Sequence, residues 1–350
     1  MNKDELRAWL RLSITEGVGN DAARKLLACF GSPHAVFEQT ETALCQVVNP
    51  KQAQALLTVP NELAVQCVRT HQWLAHQPDT HRHALWTLGD PHYPPELLQL
   101  ADPPLMFYVS GQTERTLGNA VAIVGSRNPT PQGAEIATQF GEALCAAGLC
   151  VVSGMALGVD GAAHTGALRG GQTHPASSAH WHTVAVVGTG LDRVYPSQHK
   201  MLAQHIAQQG LLLSEYALGT PPLAHNFPKR NRLIAALGLG TLVVEAALKS
   251  GSLITAKMAL DLNREVLAIP GSIYATQSHG CHALIRQGAK LVENAHDVLE
   301  ELQLAPQQQI DLLADALNTS NTHDTEHPVL THMGFAPVSL DALQARCGLD

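Results

Sequence analysis

The sequence predicts an α/β fold: an extended Rossmann-like, doubly wound, mostly parallel sheet, with a small helical N-terminal domain and a partial winged-helix C-terminal segment. Three observations predict it. From Asn119 onward, short continuous apolar runs alternate with helical patterns. Those runs lack the polar alternation of a half-exposed sheet, so both of their faces must be covered. Several of them end in Gly- or Ser-containing turns, the places where such sheets hold ligands. The chain has 350 residues, of which 45% are hydrophobic and 15% charged, which suits several packed domains and excludes wholesale disorder.

Residues 1–89 read as the helical domain. ITEGVGNDAARKLL (14–27) places a Gly17-Val18-Gly19 hairpin ahead of Ala22, Ala23, Leu26 and Leu27 at helical spacing. This resembles a helix-hairpin-helix module, whose helix N-terminus can hold a DNA phosphate. The surroundings are not basic, so packing alone is the favoured role. Residues 90–118 are rich in Pro and Gly and read as a connector with one short strand at Leu105–Val109.

The core is expected over 119–303. Its strands are AVAIVG (120–125), LCVVSG (149–154), TVAVVG (183–188), LLLSE (211–215), TLVVE (241–245), EVLAIPG (265–271) and KLV (290–292). Helices are expected from Thr130 to about Ala147, at Asp160–Leu168, over 197–209, after the basic stretch ending at Arg232, over 252–263 and over 281–287. Residues 304–327 read as an acidic linker and 328–350 as the opening half of a helix-turn-helix unit, without a recognition helix.

Net charge is −8, which on its face disfavours nucleic acid. The acid excess sits at the end: residues 116–300 carry 12 Lys and Arg against 11 Asp and Glu, whereas 301–350 carry 1 against 7. A local basic patch in the core is therefore compatible with the total. No run of about 18 apolar residues suggests a membrane span. Seven cysteines without a CxxC pair, and a charged N-terminus without an apolar leader, suggest a reduced, cytoplasmic protein.

The strand ends carry the chemistry. Gly125-Ser126-Arg127 offers close backbone approach, a hydroxyl and a guanidinium fork, but not the GxGxxG of a dinucleotide site. Ser153-Gly154 opens a second small-residue turn running to Asp160, and Gly188-Thr189-Gly190 a third, with Tyr195-Pro196 just beyond. His225-Asn226-Phe227-Pro228-Lys229-Arg230-Asn231-Arg232 holds three fixed positive charges and no acid. Lys249-Ser250-Gly251-Ser252 begins another helix with hydroxyls. Together these turns predict an anion pocket of amides, hydroxyls and guanidinium groups. Phe227 beside the cations supplies what single-stranded nucleic acid uses, a ring next to backbone charge.

VAIVGSR, VVSGMALGVDGAAHTGAL, VVGTGLDRVYPSQHKML, LLLSEY, NFPKRNRLIAALGLGTLVVEAALKSGSLITAKMALDLNREVLAIPGS and GCHALIRQGAKLV resemble, in order, the DprA/Smf family of DNA-processing proteins of natural transformation. The resemblance covers nearly all of 119–293. It implies a non-enzymatic protein without a cofactor that binds single-stranded DNA, forms a homodimer through the core and loads the recombinase RecA. Carried over by position, the DNA site would comprise Gly125, Ser126, Arg127, Ser153, Gly154, Phe227, Lys229, Arg230, Asn231, Arg232, Lys249, Ser250 and Gly251. Arg127 and Arg230 would bind phosphates. The chain departs from the family in an apparent insertion, THPASSAHWHT (173–183), in His282 where the family often has Asn, and in its short last domain. His174, His180 and His182 in the insertion have no acid or Cys spaced to complete a metal site.

The rival reading is a Rossmann-like enzyme that hydrolyses nucleoside monophosphates. Its Pro-Gly-Gly loop is absent here, where Leu237-Gly238-Leu239-Gly240-Thr241 stands instead, with Glu245 following. Glu245 is then either a base or a carboxylate that orients nearby arginines.

Overall fold

The structure, a computed structural model, describes residues 2–173 and 179–304. The expected linker from 305, the partial winged-helix segment and His174 lie outside the described residues.

The N-terminal unit is helical: α1 (Lys3–Ile14), α2 (Asn20–Phe30), α3 (Pro33–Phe37), α4 (Glu41–Leu44), α5 (Pro50–Leu57) and α6 (Leu63–Ala75). Polar side chains start most of these helices. Asn2, Ser32, Thr40 and Asn49 each accept a hydrogen bond from a first-turn N–H group, satisfying donors that the helix leaves orphaned. Leu10, Leu12, Leu26, Leu44, Leu56 and Leu63 form the unit's apolar centre. That centre continues into Leu85, Leu105, Met106 and Tyr108, so the helices pack onto the sheet rather than standing apart.

Two strands lie where helix and connector were expected. β1 (Arg82–Thr87) pairs antiparallel with β2 (Met106–Gly111), and β2 pairs antiparallel with β6 (Leu211–Ser214). The sheet therefore begins well before Asn119, and residues 82–111 belong to it.

The remaining strands and helices alternate in the expected order: β3 (Ala120–Val124), α7 (Pro131–Ala146), β4 (Cys150–Ser153), α8 (Val159–Thr173), β5 (Thr183–Val186), α9 (Lys200–Gln209), β6, α10 (Asn226–Leu237), β7 (Gly240–Val243), α11 (Gly251–Asp261), β8 (Glu265–Ala268), α12 (His279–Arg286), β9 (Lys290–Leu291) and α13 (Ala295–Glu301). The exceptions are that α10 starts before the basic run and that the last helix, α13, was not expected. The described sheet has nine strands in the order β1-β2-β6-β5-β4-β3-β7-β8-β9, and every pair from β6 to β9 is parallel. Buried Val121, Ile123, Val151, Val152, Leu242 and Leu267 explain why these strands read as unbroken apolar runs. No helix among the described residues is long and apolar enough to cross a membrane.

One feature of this order locates the site. The chain runs outward from β3 through β4 and β5 to β6, then returns through α10 to β7 on the other side of β3. The crevice between the carboxyl ends of β3 and β7 is thus the topological switch point, where doubly wound sheets bind ligands.

Candidate nucleic-acid interface

A cleft of about 460 Å³ opens at that switch point. Its lining joins the turn after β3, the first turns of α10 and the start of α11: Gly125, Ser126 and Arg127; Phe227, Arg230 and Asn231; Lys249, Ser250 and Gly251. Nine of the thirteen residues expected in the site line it.

The turn after β3 is fixed from both sides. Ser126 N–H donates to Glu245 O (2.7 Å), and Val159 N–H donates to Ser126 O (3.1 Å). Ser126 Oγ accepts from Asn128 N–H (3.1 Å). Arg127 is left exposed, with its guanidinium carbon 5.7 Å from the Phe227 ring centroid. The half-buried Phe227 ring lies against the backbone of Gly188, where a Cβ would come within 3.0 Å of it. The Phe227 ring is therefore neither core nor loose: one side is packed and it still lines the cleft.

On the opposite wall Ser250 caps α11, its Oγ accepting from Ser252 N–H (3.3 Å) and lying 2.7 Å from Ser252 Oγ. The positive end of α11 thus faces the cleft beside the exposed Lys249, an arrangement favourable to an anion.

Arg230 is displaced from its expected role. It is 3% exposed, and its Nη1 donates to Val186 O beneath the cleft. Its guanidinium fills the space over Gly154, where any Cβ would collide with it. Its Nε has no hydrogen-bond partner among the described residues. Burial holds its pKa down to about 10, so it is still cationic at neutral pH, and Asp160 opposes that shift. Asp160 accepts from the N–H groups of Gly154 (3.2 Å) and Ala156 (3.3 Å). Burial pushes its carboxyl pKa up, against the pull of Arg230 and these amides. Arg230 is therefore a positive floor rather than a projecting phosphate ligand.

Four expected residues fall outside the lining. Ser153 is fully buried and donates to Ile123 O (2.6 Å), tying β4 to β3. Gly154 makes room for Arg230 from below. Lys229 is exposed and is not among the lining residues. Arg232 turns to the other side of α10, where its Nη2 donates to both carboxylate oxygens of Glu215 (2.7 and 2.9 Å). Glu215 in turn accepts from Asn20 Nδ2 (3.1 Å) at the start of α2, so Arg232 fastens the helical unit to the sheet.

The cause is the helix start. The sequence places α10 after the basic run, but the helix begins at Asn226 and contains it. Helical spacing then sends Phe227, Asn231 and Ile234 to the cleft, and Lys229 and Arg232 elsewhere. Asp160, Ser252 and Thr255 also line the cleft. The sequence carried a signal for them in the two polar turns that open α8 and α11.

Among the described residues Glu245 pairs with no arginine. Its Oε1 accepts from Thr130 Oγ1 (2.6 Å) and its Oε2 from Thr130 N–H (2.9 Å). Its carboxylate lies against Gly133, in the first turn of α7, and holds Thr130, whose Oγ1 caps that helix by accepting from Gly133 N–H (2.9 Å). His180 and His182 likewise have local partners, Thr116 Oγ1 at 2.8 Å and Gln209 Oε1 at 3.4 Å. His282 holds Gly271 O through Nε2 (3.0 Å).

Comparison with known proteins identifies the lineage. A family model described as DNA recombination-mediator protein A matches residues 84–303. The chain belongs to that family. A model for the DprA winged helix domain matches 313–350, beginning inside the stretch read as linker. Protein Smf of Escherichia coli K12 is 36% identical over 348 residues, covering 97% of this chain and 87% of its own. DNA processing protein DprA of Streptococcus pneumoniae R6 is 44% identical over 218 residues, 62% of this chain and 74% of its own. The X-ray structure of the Streptococcus pneumoniae DprA superposes with a TM-score of 0.70 at 34% identity, covering 86% of this chain and 98% of that one. DNA processing protein A from Helicobacter pylori, whose structure was reported for its single-stranded DNA binding mode, superposes at 0.54 with 31% identity, covering 63% and 95%. The family match starts at Ala84, in β1, in agreement with a sheet that begins before Asn119.

Proposed function

We propose that the chain binds single-stranded DNA in the switch-point cleft, as a homodimer, and delivers it to RecA without chemical turnover. The observation that carries this reading is the composition of the cleft. Exposed Arg127 and Lys249 and the start of α11 supply positive potential, the buried Arg230 reinforces it, and Phe227 offers a ring beside them. The one lining carboxylate, Asp160, is engaged by two amides. Backbone charge plus a ring suits a strand whose bases are unpaired. The Helicobacter pylori relative and the family description as a recombination mediator support the DNA and recombinase parts. The exposed Leu248 and Leu260, beside and on α11 and outside the cleft lining, offer apolar side chains to a second copy.

The rival enzyme reading loses its base, because both oxygens of Glu245 are committed to Thr130. The test compares oligothymidylate, duplex DNA and nucleoside monophosphates in one binding assay, with release of base and phosphate followed in parallel. Preferential binding of the single strand without turnover is expected. Turnover lost in Glu245→Gln would contradict the reading.

A further inference from the structure

The cleft wall that carries Phe227 does not end there. The Tyr195 ring centroid lies 5.6 Å from that of Phe227, inclined by 36°, on a turn that does not line the cleft. Tyr195 is 46% exposed, and its hydroxyl has no hydrogen-bond partner among the described residues. Burial of an aromatic ring is ordinarily favourable, so a ring left half open beside a nucleic-acid cleft is notable. Beyond it a shallow groove is lined by Leu191, Asp192, Arg193, Val194, Ser197 and Lys200. Arg193 there is neutralised by Asp192 at 3.3 Å, whereas Lys200 has no carboxylate partner among the described residues.

The turn carrying this ring is held in place. Gly190 N–H donates to Thr220 O (3.1 Å), and Asp192 Oδ1 accepts from Gly219 N–H (2.8 Å). Behind it, Pro196 is buried and its carbonyl accepts from His199 N–H (3.0 Å). His199 Nδ1 is bonded to Met155 O (3.0 Å). A turn fixed before binding presents its ring with less freedom left to lose on contact, which is how preorganisation raises affinity.

We propose that Tyr195 forms a second nucleotide subsite: the strand leaves the cleft over the Phe227–Tyr195 edge, the next base stacks on Tyr195, and its phosphate meets Lys200. This rests on the proposed single-stranded DNA binding. It adds a direction to the strand, from the start of α11 across α10 toward α9.

The test measures affinity for oligothymidylates lengthened one nucleotide at a time, using the full chain and its Tyr195→Leu, Tyr195→Phe and Lys200→Ala variants. Leucine fills the space against Phe227 but offers no π face, and the thermal midpoint of each variant is followed alongside. In the wild type, one added nucleotide is expected to tighten binding by roughly 5- to 160-fold, the range for one stacked base. Tyr195→Leu abolishes that step at native stability, Tyr195→Phe keeps it, and Lys200→Ala lowers the salt slope by about 0.7. A Tyr195→Leu protein with the full step overturns the subsite, even if Arg127→Ala weakens binding. Should Tyr195→Leu fail to fold, a Tyr195→Phe protein lacking the step would equally overturn it. A wild type that binds no single strand overturns both this inference and the function it rests on.

Discussion

Two places in this molecule present a glycine-rich turn running into a helix N-terminus, and they differ in what surrounds them. At the hairpin Gly17-Val18-Gly19, α2 starts without a side-chain cap, which leaves its first-turn N–H groups open to an anion. Yet Asn20 is bonded there to Glu215 and Asp102, Asp21 sits in the first turn, and Lys25 and Arg24 are drawn to Asp21. The hairpin thus faces carboxylates and packs. At the switch point the helix start meets Lys249, Arg127 and Arg230 instead. A helix terminus contributes only part of a charge, so neighbouring side chains decide whether it attracts an anion. The two halves also differ in their interiors. The helical unit is held mainly by leucines, while the cleft half buries Asp160, His164, Thr183, Asn226 and Arg230.

That contrast predicts where stability is concentrated. Arg230→Ala should produce the largest loss, about 3–5 kcal/mol, because it strips the buried Asp160 of its cation and opens a void over Gly154. Chemical denaturation measures it; a variant of native stability would show that the floor is not built on this residue. Arg232→Met should cost about 2 kcal/mol by leaving Glu215 unpaired, with affinity for single strands unchanged. A loss of affinity at native stability would return Arg232 to the site.

Acid should sharpen the difference further. Thr183 Oγ1 donates to Val151 O, so it accepts from His164 Nδ1–H, and His164 is neutral. Burial holds His164 down to about 3, with His199 and Arg230 adding to the shift. Its folded pKa lies below the unfolded value of about 6.5, so the unfolded chain binds the proton first. Stability is full above pH 6.5 and falls by about 1.4 kcal/mol per pH unit from this group as pH drops toward 3. Denaturation across that window should show a shallower decline in His164→Gln, and an equal slope would remove His164 from the explanation. Smallest of all, Glu245→Gln should cost about 1 kcal/mol by loosening the hold on Thr130, the N-cap of α7, leaving DNA binding intact.

The parallel strands were legible because burial on both faces makes each a short apolar run: AVAIV and TLVV have no other stable place. β1 was not, since only six residues separate RHALWT from the end of α6 and it alternates too little to announce a strand. β2 was seen as a strand but not as part of the sheet, because its antiparallel partner β6 lies far along the chain. The cleft was legible as a set of turns, since topology alone brings strand ends together. The roles within it were less so. Arg230 and Arg232 look alike in a sequence, and only the start of α10 at Asn226 sends one to the floor and the other to the far side, while Arg127 owes its exposed place to the turn after β3. A shift of a few residues in that start reassigns every side chain of the basic run.

The salt dependence of single-strand affinity tests the central claim most directly. Neutralising a phosphate contact lowers the slope of log K against log salt by about 0.7 on single strands. Oligothymidylate binding would be measured across a salt series for the wild type, Arg127→Ala, Lys249→Ala and, as a control outside the cleft, Arg232→Met. The cleft account predicts weaker binding and a slope reduced by about 0.7 for each of the first two, with the wild-type slope kept in Arg232→Met. Wild-type affinity and slope in both Arg127→Ala and Lys249→Ala would contradict it.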